Sequence, residues 1–217
     1  MHKRKAKLPH DRLGTTPIHL TYRLAGSLPK TIFSDLKRRR ERKLMDLESR
    51  LLDVPDERRT REFNLSISEI NAHHEQAIDA ALHATSGPYH LNNPKIAKLV
   101  LDSWQYIYAT GKIYLYVVCV MSNHVHLILQ APEGVDELDM GKVVKAHKTF
   151  TAGQANKLLG RTGQSFWATN YFDRRVRSGK FFTAMWYVLK NPVKAGLVDN
   201  WKEWPNTWLN PEYAEVF

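Results

Sequence analysis

Residues 113–130 read IYLYVVCVMSNHVHLILQ, and the parsing of this stretch decides the fold. The runs 113–120 and 124–130 are dense in β-branched and aromatic residues and flank the short connector Met121-Ser122-Asn123, the pattern of a β-hairpin. Successive strand side chains alternate between faces, so His124 and His126 share one face while Val125, Leu127 and Leu129 share the other and can enter a core. Two imidazoles side by side on a rigid strand can bind one divalent ion through neutral nitrogens and leave positions open for water or phosphate oxygens. Taken alone, the same pair also describes two histidines on the wetter face of a hairpin. His73-His74 is adjacent rather than alternating and reads as a solvated helix face.

Working outward, Asn93 and Pro94 supply an N-cap and first-turn proline for a helix to about residue 109, with Ile96, Leu99, Val100 and Ile107 facing inward and Gly111 closing it. The run 17–24, PIHLTYRL, alternates as a strand, and Gly26, Ser27 and Pro29 end it. Between these lie two helical stretches. One, 31–52, is amphipathic and rich in Lys and Arg; the other, about 66–84, carries Ile70, His74, Ala77, Ile78 and Ala81 on one stripe, with a break over 53–61 at Pro55. They are expected to form a hairpin. Beyond the β-hairpin come a helix over about 138–159, the breakers Gly160 and Gly163, a mixed stretch FWATNYFDRRVR that admits a further strand, and a helix over about 180–190 that Asn191-Pro192 ends. With the helical hairpin set aside, the order is strand, helix, strand, strand, helix, strand. The predicted fold class is α+β: a ferredoxin-like split βαβ antiparallel sheet with helices on one face, plus an inserted helical hairpin.

Bulk properties narrow the function. The chain has 217 residues, room for one catalytic core with an appendage. No apolar run approaches membrane-spanning length, so no membrane partner is expected. The basic start, MHKRKAKLPHDR, is followed by no apolar stretch and reads as an arm rather than a secretory signal. Cys119 is the only cysteine, which excludes internal disulfides and cysteine-cluster metal sites and fits a cytoplasmic setting. A net charge of +10 favours a polyanionic partner, because each phosphate neutralised releases condensed counterions.

A second constellation is 185–192, MWYVLKNP. Tyr187 and Asn191 are four apart, one turn along a helix face. Asn191 offers an amide oxygen for a metal, and Tyr187 a hydroxyl that could attack a phosphorus atom the metal polarises. Read singly, Tyr187 is a core aromatic and Asn191 a helix cap. Tyr171 is a rival nucleophile near Arg174, Arg175 and Arg177. These arginines, Lys145 and Lys148 beside His147, and Arg38, Arg39 and Arg40 within the basic run 37–43 are candidates for DNA contact, each also readable as a solvated charged face. Trp167 and Tyr171 could stack on bases, with packing the favoured role for the tryptophan.

MSNHVHLIL (121–129) and YVLKNPVKAGLV (187–198) together resemble the REP-associated tyrosine transposases, a branch of the single-tyrosine HUH transposases. NKLLGRTGQSFW and YFDRRVR between them, and HLTYRLAGSLP near the start, extend the resemblance over most of the chain. Two positions depart from it: Ser122 stands where the family usually has proline, and Ala168 follows Trp167 where glutamine is common. The resemblance implies Mg²⁺ or Mn²⁺ held by His124, His126 and Asn191, and Tyr187 as nucleophile. It also implies a 5′-phosphotyrosine intermediate with a free 3′-hydroxyl, and hairpin-forming repetitive DNA in single-stranded form as substrate; the setting expected is cytoplasmic and nucleoid-associated. The expected organisation is a basic arm (1–16), a single catalytic domain (17–200) with the helical insertion at about 30–90, and a C-terminal tail (201–217). Monomer and homodimer stay open. Two rivals remain, a non-catalytic nucleic-acid-binding module and a metal-dependent nuclease that uses water.

Overall fold

A computed structural model describes residues 13–217; most of the expected arm, 1–12, lies outside the described residues. The elements along the chain are β1 (Ile18–Leu24), α1 (Lys30–Leu51), α2 (Asp56–Ala84), α3 (Pro94–Ala109), β2 (Tyr114–Val120), β3 (His124–Gln130), α4 (Met140–Leu158), β4 (Trp167–Arg175), α5 (Phe181–Leu189), α6 (Asn191–Lys194) and β5 (Thr207–Leu209). They divide into two compact units. Gly26–Pro88 forms one, and the described residues up to Ala25 together with Tyr89–Phe217 form the other.

The larger unit is built on a five-stranded antiparallel sheet of order β4-β1-β3-β2-β5. Its first four strands, with α3 joining β1 to β2 and α4 joining β3 to β4, are the split βαβ arrangement of a ferredoxin-like fold. Period-two alternation sorts the core into two layers. Ile18, Leu20, Tyr22, Val118, Val120, Val125, Leu127 and Leu129 face α3 and α4, whose Ile96, Val100, Trp104, Met140 and Val144 pack against them. Val117, Cys119 and Ile128 face the other way, against Ala184, Met185, Val188 and Leu189 of α5. Helices on one face is therefore correct for α3 and α4 only. The opposite face carries its own apolar patch over β2 and β3, and burying it requires α5. This double coverage explains why 113–120 is a nearly continuous apolar run rather than an alternating one.

Local chemistry sets the ends of these elements. The Asn93 side chain accepts from the backbone N–H of Lys95 with Pro94 following, as expected for α3, and Gly111 takes a positive φ of 68° just beyond it. The mixed stretch becomes β4, an edge strand paired with β1. Asn191-Pro192 does not end helical structure. Proline lacks the N–H that would reach back to Val188, so α5 breaks after Leu189, yet proline suits the first turn of a helix and α6 opens at once. β5 pairs with β2 through Val117, Val118 and Cys119, a strand too short for its sequence to announce.

In the smaller unit α1 and α2 pack against each other. α2 starts at Asp56, not near residue 66: Pro55 precedes the helix instead of breaking one, and Asp56 and Glu57 in the first turn favour its positive end. Arg59 reaches back to the carbonyls of Leu51, Leu52 and Val54, satisfying acceptors that the end of α1 leaves open. Arg40 donates to Asn71 at 2.8 Å across the pair.

Candidate active site

Antiparallel pairing sets Arg23 opposite His124 and Thr21 opposite His126, with His19 further along β1 on the same face. His124 and His126 are fully buried, which disposes of the wetter-face reading. Their rings meet edge to face with centroids 4.8 Å apart. The Asn123 side-chain oxygen lies 2.7 Å from His124 Nδ1. That oxygen can only accept, so Nδ1 carries the hydrogen and Nε2 keeps its lone pair, the form a metal ligand needs. Around His126 Nδ1 stand Thr21 Oγ1 at 2.9 Å and His19 Nε2 at 3.2 Å, either of which can accept from an Nδ1–H, the tautomer that leaves Nε2 its lone pair. Buried imidazole is tolerated as a neutral, hydrogen-bonded group, and neutral imidazole is what binds a divalent ion. Two such donors with their Nδ1 atoms engaged could hold one divalent ion, with oxygen ligands completing its shell.

α5 covers this same face of the sheet and brings Tyr187 to the histidines. The Tyr187 ring stands edge-on to His126 with centroids 6.0 Å apart, and to His19 at 5.5 Å. Lys194, seven residues on, places its ammonium 4.1 Å from the centroid of the Tyr187 ring. Asn191 is buried and donates from Nδ2 to the Tyr187 carbonyl at 3.0 Å, which leaves Oδ1 as the available end of the amide. The turn relation between Tyr187 and Asn191 thus survives the break after Leu189, through a side-chain bond.

Tyr171 lies elsewhere. It pairs with Tyr22, whose side chain enters the α3–α4 layer, so it occupies the face opposite the histidines. Burial raises its phenol pKa, with Asp173 and Asp139 adding to the shift, which opposes formation of a nucleophilic phenolate. Strand alternation also separates the arginines: Arg174 pairs with His19 and shares the histidine face, while Arg175 pairs with Ile18 and shares the other. Arg177 is half-buried just beyond β4. Lys145 and Lys148 sit on α4, across the sheet from the histidines, lining with Trp167, Asn170 and Tyr171 a cleft of about 600 Å³. Lys148 donates to the carbonyls of Ala168 and Thr169; burial, with Arg23 contributing, lowers its pKa to about 8. Trp167 is packed, giving its indole N–H to Thr151. Arg38 is exposed and ion-paired with Asp35, Arg39 is exposed, and Arg40 is held by Asn71.

Sequence reasoning missed His19, Thr21, Arg23 and Lys194. Alternation within 17–24 puts His19, Thr21 and Arg23 on one face, but only the pairing of β1 with β3 makes it the histidine face. Lys194 carried no signal of its own.

Comparison with known proteins gives three likenesses. Residues 89–191 match the family described as "Transposase IS200 like". A protein of Haemophilus influenzae that carries the provisional name REP-associated tyrosine transposase is 28% identical over 109 residues, 46% of this chain. The alignment spans 61% of that relative's length. The solved structure titled "Structure of the REP associates tyrosine transposase bound to a REP hairpin" superposes on 93% of this chain and 81% of that one, with a TM-score of 0.52 at 13% identity, a likeness of fold. By these matches the chain is similar to the REP-associated tyrosine transposases, and the segment similar to the IS200-like transposases, residues 89–191, holds the histidine strand, Tyr187 and Asn191.

Proposed function

We propose that this protein cleaves and rejoins single-stranded DNA bearing hairpins, through a covalent tyrosine intermediate. The observation that carries the reading is the edge-to-face meeting of Tyr187 with His126 on the face that also bears His124, which brings together a phenol and two imidazoles from segments 61 and 63 residues apart in the chain. His124 and His126 would hold Mg²⁺ or Mn²⁺ through Nε2, with the Asn191 side-chain oxygen as a further donor. Such an ion supplies Lewis-acid polarisation of the scissile phosphate. The Tyr187 hydroxyl oxygen attacks phosphorus in line as its proton departs; the P–O3′ bond breaks and the 3′ oxygen takes up a proton. The DNA 5′ phosphate stays on Tyr187 as a diester, so reversal by a 3′-hydroxyl rejoins a strand without ATP. Lys194 beside the ring and Arg174 on the same face offer positive charge for the phosphate backbone.

The test is a covalent adduct. With labelled single-stranded hairpin oligonucleotides and Mn²⁺, the wild-type chain is expected to yield a complex that survives denaturation, Tyr187→Phe none, and Tyr171→Phe the wild-type amount. No adduct across a broad panel of hairpins removes the covalent mechanism and favours a binding module or a water-using nuclease. Adduct formed by Tyr187→Phe reassigns the nucleophile.

A further inference from the structure

His19 occupies a place that no part of the mechanism above uses. It is 1% exposed on β1, its Nε2 lies 3.2 Å from His126 Nδ1, its ring stacks on that of His126 at 23° and 5.4 Å, and its edge meets Tyr187 with centroids 5.5 Å apart. Burying a polar ring is costly unless it is hydrogen-bonded, and the Nε2 of this one meets the strand of the proposed metal donors while its edge meets the helix that carries Tyr187.

From this contact geometry we infer that His19 is a positioning residue that sets two things at once: the tautomer and orientation of His126 as a metal donor, and the distance of the Tyr187 ring from that donor. The inference rests on the proposed metal and tyrosine roles. Thr21 bears on the first task, its hydroxyl lying 2.9 Å from His126 Nδ1, whereas the His19 ring meets both His126 and Tyr187. Outer partners of metal-bound imidazoles typically govern affinity by about 10–100-fold. Placement of a nucleophile instead governs the rate of attack once the metal is bound.

The experiment separates the two tasks. Mn²⁺ affinity is measured on the protein alone, from the paramagnetic resonance of free Mn²⁺, for wild type, His19→Ala, His19→Phe and Thr21→Val, each first checked for native circular dichroism and thermal midpoint. Adduct formation is then timed at saturating Mn²⁺ on a hairpin oligonucleotide that wild type attacks. His19→Ala is expected to lose affinity by about 10-fold or more and to form adduct more slowly even at saturation. His19→Phe, which keeps a ring against Tyr187 but no acceptor, should share the affinity loss and recover much of the rate. Thr21→Val should lose affinity. Folded His19→Ala and His19→Phe with wild-type Mn²⁺ affinity overturn the metal half of the inference; a His19→Phe rate no better than that of His19→Ala overturns the tyrosine half. Failure of wild type to form any adduct strikes the proposed function instead and leaves the Mn²⁺ measurement to decide the first half alone.

Discussion

At the residue scale, two buried histidine systems lie on opposite faces of the sheet. Behind the sheet, the indole N–H of Trp104 donates to Tyr22 Oη at 2.9 Å, so the Tyr22 hydroxyl gives its hydrogen to His147 Nε2 at 2.7 Å and His147 Nδ1–H is left to donate to Ser103 at 2.9 Å. This arrangement has His147 neutral, and a second ring proton would break the bond from Tyr22. Burial, with Lys148 adding to it, accordingly lowers the His147 pKa to about 3. Between about 3 and the unfolded value of about 6.5 the unfolded chain binds the extra proton and the native one does not, so native stability is lost as pH falls through this window, by at most about 1.4 kcal/mol per unit. Denaturant unfolding from pH 7 to 4 should show this slope in wild type and a shallower one in His147→Gln; equal slopes would sink the assignment. His124 and His126, by contrast, engage Nδ1 with Asn123 and with Thr21 and His19, which is compatible with the proposed use of Nε2 toward a metal.

Elements place these residues. β3 carries core side chains on one face and the histidines on the other, and the bonds of β1 and β2 on either side fix its register; a slip of one residue would send both histidines into the α3–α4 core. α3 covers that core, and its start depends on one local bond, from the backbone of Lys95 to the exposed Asn93 side chain. Asn93→Ala is expected to lower unfolding free energy by about 1 kcal/mol, read from the denaturant midpoint at unchanged slope; no shift in the midpoint would mean the cap contributes nothing. The break between α5 and α6 was only half legible. Proline at 192 announces an interruption, but whether the chain leaves the helix or starts another turn depends on the residues packed beneath, and Asn191 and Pro192 are buried.

Over the whole molecule, the +10 charge is the property most directly tied to a polyanionic partner. If phosphate contacts dominate, the logarithm of the affinity for single-stranded DNA falls linearly with the logarithm of salt concentration, by about 0.7 for each phosphate contacted. Replacing Arg174 or Lys145 should flatten that slope by roughly this amount if the residue meets a phosphate, and an affinity independent of salt would argue against an electrostatic interface. No helix among the described residues is long and apolar enough to cross a membrane.

Sequence alone determined what depends on neighbours in the chain: the β2–β3 hairpin, the common face of His124 and His126, the cap and proline of α3, the four-residue spacing of Tyr187 and Asn191, and the helical hairpin between β1 and α3. Each follows from a backbone period or a turn residue acting over a few positions. Only the tertiary structure decided which faces meet: that α5 lies on the histidine side, that β1 adds His19 and Thr21 there, that Tyr171 turns away, and that 207–209 extends the sheet. Those outcomes rest on pairing between distant segments and on which apolar patch each helix must bury, and alternation within a strand names two faces without saying what either will touch.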